Sequence, residues 1–223
     1  MYTAASTHPS VQSNSSSSQV CPHPSATSVV KRALDIVGSL VGLLFLAIIF
    51  VPVAIAIKGE SPGSIFYSQE RRGLQGKPFR IWKFRSMVQN ADELKNLVTN
   101  EVQGHFFKSE NDPRITRVGR FLRRTSLDEF PQFWNVLVGD MSLVGTRPPT
   151  SDEVARYEAH HWDRLKVKPG LTGQWQVSGR SSIKDFEEVV QLDLHYQEVW
   201  TPLYDLRLIF KTVQSILIRS DAY

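Results

Sequence analysis

The chain has 223 residues, a formal net charge of +4 and a pI near 9.2. This length allows one domain of ordinary size with appendages, and the mild positive charge suits an anionic membrane surface, a phosphorylated substrate or a nucleic acid without choosing among them. The single cysteine, Cys21, excludes a disulfide framework and a thiolate metal site, and the spacing of the six histidines does not match an all-protein zinc site.

Residues 1–30 form a tail that is rich in Ser, Pro, Thr and Gln and contains no Lys, Arg, Asp or Glu. Such a segment cannot bury enough apolar area to offset its conformational entropy, so the tail is predicted to be disordered. It does not have the pattern of a secretory signal peptide, because the basic residues and the apolar run come only after it.

The strongest signal in the chain is the apolar run from Ala33 to Ile57, whose only charge is Asp35. As one helix it would be about 37 Å long, against a hydrocarbon core of about 30 Å. A soluble core helix keeps a polar stripe, which is nearly absent here, so residues 31–58 are predicted to be a membrane helix. Pro52 removes a helical hydrogen bond and predicts a kink. Basic residues flank both ends, which leaves open whether the segment spans the bilayer or returns to the same leaflet.

The segment after the membrane run is predicted to form a β-hairpin. Ser64–Gln69 and Phe79–Phe84 are β-prone, and the loop between them carries the basic residues Arg71, Arg72 and Lys77. A helix with Ser86 as its N-cap is predicted over Met87–Val98, because its apolar residues fall on one helical face.

The remaining predicted elements are helices: a short basic one from Asp112-Pro113, then Phe133–Gly139, Glu153–Arg164, Ile183–Gln197 and Thr201–Arg219. The apolar face of the basic helix suits a membrane interface, with a charged face over a core as an equal alternative. The apolar face of the last helix suits packing either in a core or at a membrane interface. The expected fold class is α+β, predominantly helical, with a membrane helix, interfacial amphipathic helices and a small β-hairpin.

Two adjacent carboxylates, Asp128 and Glu129, follow directly after the basic run Arg120–Arg124. One interpretation is a capping box from Ser126 to Glu129, although Pro131 would then forfeit a helical hydrogen bond; in the other, Asp128 is the N-cap. Either way Asp128 lies at a helix N-terminus, which is suited to phosphate. An ionised carboxylate there can attack phosphorus or hold Mg²⁺.

Several motifs together resemble the monotopic phosphoglycosyl transferases, also called bacterial sugar transferases or polyprenyl-phosphate glycosyl-1-phosphate transferases. The matching stretches span about residues 31–220 in the family's order: KRALDIVGSL, SIFYSQERRGLQGKPFRIWKFRSM, DPRITRVGRFLRRTSLDEFPQFWNVLVGDMSLVGTRP, KPGLTGQWQVSGR and DLRLIFKTVQSIL. Larger family members add a multi-helix membrane domain and a soluble module in front, so this chain resembles the minimal catalytic form.

The resemblance implies a reaction. Asp128 would attack the sugar-bearing phosphorus of a UDP-sugar and expel UMP, which leaves a covalent phosphosugar–Asp intermediate. Polyprenyl (undecaprenyl) phosphate would then attack this intermediate, giving a polyprenyl diphosphate sugar that initiates exopolysaccharide, capsule or O-antigen assembly. Glu129 matches the second member of the pair, and the family uses Mg²⁺, here assigned to Asp128 and Glu129. The ending of the chain resembles the branch that acts on UDP-galactose or UDP-glucose.

The resemblance also implies which residues surround the phosphates: Lys83, Arg123 and Arg147. Several cations are needed there, because two anionic substrates and a carboxylate nucleophile repel one another. Gln176 and Arg180 match a loop near the nucleotide sugar.

The family's membrane segment is a re-entrant helix broken at a Ser-Pro pair, which keeps both of its ends cytoplasmic. Pro52 matches that proline, while Val51 stands in place of the serine and Thr146 in place of a proline beside Arg147; the second change is expected to loosen that turn and to be tolerated. The implied location is the cytoplasmic face of the bacterial inner membrane, with residues 59–223 as a catalytic domain on its phospholipids. The sequence leaves open whether the protein forms a homo-oligomer.

Two other functions are weighed: a membrane phosphohydrolase that uses water in place of the lipid phosphate, and a non-catalytic membrane adaptor. No nucleic-acid partner is expected, because the basic residues cluster beside carboxylates and an apolar run and do not form a stripe with exposed aromatic residues.

Overall fold

A computed structural model describes residues 22–91, 93, 94, 98, 112–179, 183 and 185–218. Within these ranges the chain is predominantly helical, with the α-helices α1 (Pro24–Thr27), α2 (Val29–Glu60), α3 (Arg117–Arg124), α4 (Phe133–Val138), α5 (Ser151–Val154), α6 (Gln174–Val177), α7 (Phe186–Val199) and α8 (Pro202–Ile218). The strands are β1 (Phe66–Arg72), β2 (Pro78–Phe84), β3 (Ser142–Val144) and β4 (Gly170–Thr172), and 3₁₀ segments cover Leu74–Gly76, Leu127–Gln132 and Ala159–Lys166.

Helix α2 contains the predicted membrane segment, with bounds 29–60 in place of 31–58, and Pro52 lies inside it. The side chain of Ser28 caps it by accepting the Lys31 N–H. In its most apolar 18-residue window only 11% of the residues are buried, so α2 is not the core helix of a soluble domain. Its exposed apolar side chains instead suit lipid. The kink and the re-entrant path stay predictions.

The residues just before α2 are folded. Residues 24–27 and 29–30 are helical, so the prediction of disorder is wrong for them, while residues 1–21 lie outside the described part. The backbone N–H of His23 donates to Lys166 O at 2.9 Å, and its ring lies edge-on to Trp200. These contacts with residues distant in sequence stabilise a segment whose own composition favours disorder.

The first turns of α2 are fastened to the rest of the protein by three charged residues. Lys31 Nζ donates to Asp205 Oδ2 at 2.6 Å and to Val144 O at 2.9 Å. Arg32 donates to two carbonyls at the C-terminal end of α4, at 2.8 and 2.6 Å. Asp35 accepts from the hydroxyl of the first residue of β3 and from the backbone N–H of the second. The N-terminal end of α2 is therefore bonded to α4, α8 and β3.

Strands β1 and β2 form the predicted antiparallel hairpin, in a register that pairs Phe66 with Phe84 and Arg72 with Pro78. The rings of Phe66 and Phe84 stack with each other at a centroid distance of 5.4 Å and with Phe50 of α2 at 5.7 and 6.4 Å. Strand β1 continues to Arg72, so the connection is shorter than predicted and Arg71 belongs to a strand.

A second sheet, formed by β3 and β4 in parallel, was not predicted. Each strand has only three residues, too few for a periodic signal. The pairing depends on glycines at close backbone approaches. A Cβ on Gly145 would overlap Lys168 O, and one on Gly173 would overlap Gly145 O.

Two helix predictions are wrong. Met87 forms an isolated antiparallel bridge with Ile115, so no helix begins after Ser86; part of the predicted range lies outside the described residues. The range 153–164 is not one helix but the end of α5 followed by a 3₁₀ segment. Helices α3, α4, α7 and α8 are confirmed with shifted ends, and Thr201 Oγ1 caps α8 by accepting the Tyr204 N–H.

Candidate active site

The acidic pair lies in the 3₁₀ helix Leu127–Gln132, hereafter the acidic turn. Ser126 takes the N-cap position with φ 56°, and its side chain makes no capping hydrogen bond. Both capping hypotheses are therefore wrong: there is no capping box, and Asp128 is the second residue of the helix and not its cap. The placement of Asp128 at a helix N-terminus is confirmed, and its side chain is buried, with 6% exposed.

Asn135 joins the helix after the acidic turn to the edge of β2. Its Oδ1 accepts the Trp82 N–H at 3.2 Å, and its Nδ2 donates to Arg80 O at 2.7 Å. This attachment brings Lys83, the next residue of β2, to the acidic turn, where its Nζ lies 2.7 Å from Glu129 Oε1. The structure thus brings together two of the residues that the sequence assigned to one site.

Arg123 lies beside the chain that leaves β2. Its Nε donates to Ser86 Oγ at 2.9 Å, and the Thr116 N–H donates to Ser86 O at 3.2 Å. Gly119 has no room for a Cβ against the Ser86 backbone, so α3 packs directly on this segment. Arg123 is therefore bonded to Ser86, which follows Lys83 by three residues.

Arg147 follows β3 in a turn that is tied down on both sides. Its guanidinium forms a two-point ion pair with Glu153, at 2.9 and 3.1 Å. Burial alone would raise the pKa of Glu153, but the charge and hydrogen bonds of Arg147 hold that pKa below its ordinary value. The Thr146 hydroxyl donates to Arg164 O at 3.2 Å, so Thr146 adds a buried hydrogen bond at this turn that a proline could not make.

Sequence reasoning missed Arg71 as a site residue. Its Nη1 donates to Pro148 O at 3.0 Å, next to Arg147, and its Nη2 donates to Gln69 Oε1 at 2.7 Å. Burial lowers the pKa of Arg71 to about 10, helped by the like charge of Arg147 and opposed by the carboxylates of Glu153 and Glu129. Arg71 thus lies beside the Arg147 turn, and the charge of Glu129 acts on its pKa. Extending β1 by three residues would have placed it on the strand.

Of the two residues predicted for the nucleotide-sugar loop, only Gln176 lies in the part of the chain that the structure describes. Gln176 lies in α6, and its Oε1 is buried near Gly173, which packs against Gly145, two residues before Arg147. Arg180 lies outside the described residues.

In the described part of the chain, one group of three residues has the spacing of a metal site: His160, His161 and Glu187. His161 Nδ1 accepts the Glu158 N–H at 2.9 Å, so the proton of the neutral ring is on Nε2, which donates to Glu187 at 2.5 Å. A nitrogen that carries a proton is not a metal ligand. The group is a hydrogen-bonded cluster that lowers the pKa of Glu187, chiefly through the hydrogen bond from His161.

The acidic turn packs directly on α2. Leu127, the residue before Asp128, belongs to the apolar cluster of Val53 and Ile57 of α2 with Leu122 and Phe84. A buried carboxylate, its acidic neighbour and the Lys83 ammonium thus lie beside a helix with an exposed apolar surface. The family model of the bacterial sugar transferases matches residues 26–219.

The chain belongs to the bacterial sugar transferase family.

Two of its relatives carry names for sugar and phosphosugar transfer, and a third is named for exopolysaccharide production. The chain is 47% identical over 196 residues to the galactosyl transferase CpsE of Streptococcus agalactiae serotype III, covering 87% of this chain and 43% of the relative. It is 44% identical over 200 residues to the undecaprenyl-phosphate galactose phosphotransferase of Salmonella typhimurium, covering 87% and 42%. It thus spans less than half the length of these two relatives. For the exopolysaccharide production protein ExoY of Sinorhizobium fredii, 37% identical over 201 residues, the shares are 87% and 88%.

Proposed function

We propose that this protein transfers a sugar-1-phosphate from a UDP-sugar to polyprenyl (undecaprenyl) phosphate and releases UMP, as the first step of assembling a bacterial exopolysaccharide, capsule or O-antigen. The observation that carries the proposal is the position of Asp128, a carboxylate with 6% of its surface exposed, in the acidic turn that packs on α2. The water-soluble donor and the lipid acceptor can meet only at a membrane surface, and α2 supplies the lipid-facing segment beside this carboxylate.

The chemistry would proceed in two displacements at phosphorus. In the first, an oxygen of Asp128 forms a bond to the sugar-bearing phosphorus, and the bond from that phosphorus to the UMP oxygen breaks. In the second, an oxygen of the lipid phosphate forms the new bond to the same phosphorus, and the Asp128 carboxylate leaves. Lys83, Arg123 and Arg147 would offset the repulsion between the anionic substrates and the carboxylate.

The acidic pair also fits Mg²⁺. This ion binds through one or two carboxylates together with substrate phosphates, and adjacent carboxylates provide the hard oxygen donors it prefers. Asp128 and Glu129 would hold it, and when bound it would neutralise negative charge on the phosphates. Lys83 Nζ donates to Glu129 Oε1 at 2.7 Å, and this hydrogen bond would orient the Glu129 carboxylate for metal binding.

We further propose that the protein lies on the cytoplasmic face of the inner membrane, with α2 entering and leaving the same leaflet. The face of α8 supports contact with phospholipid, because several of its large apolar side chains are exposed, namely Leu203, Leu206, Phe210, Val213, Ile216 and Ile218.

The deciding experiment measures UMP release by the full chain in nanodiscs, with UDP-galactose or UDP-glucose and undecaprenyl phosphate. Asp128→Asn should abolish release and leave the protein in the membrane fraction, and the matched variant Asp152→Asn, at an exposed acid, should retain full activity. Mass spectrometry after denaturation in the presence of donor alone should find a phosphosugar adduct on Asp128.

Other outcomes identify the alternatives. UMP release that does not depend on the lipid would favour a phosphohydrolase, and full biological function of Asp128→Asn would favour a non-catalytic adaptor. An adduct on Glu129 would reverse the roles of the two carboxylates.

A further inference from the structure

Arg71 carries a buried hydrogen-bond donor that the fold does not use. Its two terminal nitrogens donate to Pro148 O and Gln69 Oε1, while its Nε is buried and has no partner in the described part of the chain. Native proteins pair nearly all buried donors, because an unpaired one loses its hydration without compensation. A ligand or a water molecule could supply the acceptor that this donor lacks.

The charges around Arg71 point to an anionic ligand. Glu153 is engaged by Arg147 and Glu129 by Lys83, and among the described residues no carboxylate lies within salt-bridge distance of Arg71. Its hydrogen bond to Pro148 O holds the guanidinium next to Arg147, so two arginines share the neighbourhood of one buried carboxylate. With a pKa of about 10, Arg71 remains a cation at neutral pH. A bound phosphate would relieve this excess of positive charge.

We propose that Arg71 is a phosphate-binding residue of this site, donating its Nε–H and a free Nη–H to phosphate oxygens of one of the two anionic substrates. The inference rests on the proposed function and adds to it a residue that the sequence motifs did not single out. Both substrates carry the same chemistry, so the phosphate is either in the diphosphate of the donor or at the head of the acceptor lipid.

The contacts of Arg71 with protein atoms suit this role. The carbonyl of Pro148 and the amide oxygen of Gln69 each take one terminal nitrogen, which fixes the plane of the guanidinium before any ligand arrives. A guanidinium fixed in this way loses less side-chain entropy on binding. The competing explanation is structural: Arg71 would only tie β1 to the Pro148 turn.

The test compares Arg71→Lys and Arg71→Gln with the same substitutions at Arg72. Arg72 is the next residue of β1, points to the other face of the strand and contacts Ser151 Oγ and Glu70. The full chain in nanodiscs is titrated with UDP by calorimetry, and the KM values for UDP-sugar and for undecaprenyl phosphate are measured separately. Thermal midpoints are recorded for every variant.

Loss of a charged hydrogen bond predicts that the Arg71 variants weaken binding of their phosphate ligand about 10- to 100-fold, with the Arg72 variants within about 3-fold of wild type. Weaker UDP binding with a raised KM for UDP-sugar assigns Arg71 to the donor diphosphate. Unchanged UDP binding with a raised KM for undecaprenyl phosphate assigns it to the acceptor. Guanidinium ion should restore part of the binding lost in Arg71→Gln, which a purely structural role does not predict.

The inference is overturned if the Arg71 variants keep the Kd for UDP and both KM values while only their thermal midpoints fall. That result, in a protein that transfers the sugar-1-phosphate, leaves the proposed function standing. If wild type binds UDP but transfers nothing, the proposed function fails; weaker UDP binding by the Arg71 variants then still supports the inference, and an unchanged Kd for UDP overturns it. A wild type that neither binds UDP nor transfers the sugar-1-phosphate overturns both.

Discussion

Replacing Lys31 with methionine tests how α2 is fastened to the rest of the protein. The substitution keeps the length of the side chain and removes only the ammonium, which lies 2.6 Å from Asp205 Oδ2 and 2.9 Å from Val144 O. The exposed fractions of the two charged side chains are 6% and 3%, so water cannot replace the lost partner. We expect Asp205 to remain as a buried carboxylate without its cation.

The structure bounds the cost. Removing one partner of a buried ion pair destabilises a protein by about 3–5 kcal/mol. Asp205 keeps hydrogen bonds from Tyr196 at 2.8 Å and from Trp200 at 3.1 Å, which places the expected loss near the lower limit. For a chain of this size 1 kcal/mol corresponds to about 2–4 °C, so the thermal midpoint should fall by about 6–12 °C.

The assay is scanning calorimetry of the protein in nanodiscs, with Lys166→Met as the matched control. Lys166 pairs with Asp163 at a similar distance, 2.8 Å, but the two side chains are 35% and 46% exposed. Its removal should cost about 0–1 kcal/mol. Adding Asp205→Asn to Lys31→Met should recover part of the loss, because the stranded charge disappears. A midpoint for Lys31→Met no lower than that of Lys166→Met would refute the reasoning.

Three further predictions concern catalysis, pH and topology. Lys83→Met should lower kcat/KM about 10²- to 10³-fold, because it removes a cation beside the acidic pair; a thermal midpoint that falls with unchanged kinetics would contradict a role in catalysis. The hydrogen bonds from Arg114 lower the pKa of Asp112 below 3.8, so the stability they provide is present above that pH and lost as pH falls through the lower folded-state pKa. The gap in thermal midpoint between wild type and Asp112→Asn should thus be largest at pH 5 and above and should close in acid; a gap independent of pH would contradict the assignment. Cysteines at Thr27 and Glu70, in a background without the native cysteine, should be labelled from the same side of sealed vesicles if α2 is re-entrant, and from opposite sides if it spans.

Elements with a strong local signal were predicted from the sequence alone. The apolar run that became α2, the aromatic and β-branched strands of the hairpin, and the Thr201-Pro202 start of α8 each have a physical cause within a few residues. The predictions that failed depended on distant partners. Residue 23 is ordered by Lys166, and the bridge from Met87 to Ile115 replaces a helix that the local pattern favoured.

In the candidate site, too, the residues could be predicted from local motifs while their contacts could not. Asp128 and Glu129 were recognisable as adjacent carboxylates in a motif, and Lys83, Arg123 and Arg147 followed from the resemblance. Their geometry was not predictable. Local rules favoured a helix cap at the acidic pair, whereas the ion pair of Glu129 with Lys83 depends on Asn135 bonding to the edge of β2.

The sequence by itself determined the long apolar helix, the hairpin and the family, because hydropathy, strand propensity and a long ordered set of motifs are properties of the chain. Only the tertiary structure decided that Arg71 lies beside the Arg147 turn with an unpaired buried Nε–H, and that Lys31, Arg32 and Asp35 fasten α2 to β3, α4 and α8. The reason is that burial and charge pairing are set by residues far apart in sequence. The extension of β1 to Arg72 and the pairing of β3 with β4 have no clear signal in the local sequence. They nevertheless position Arg71 and the turn that carries Arg147.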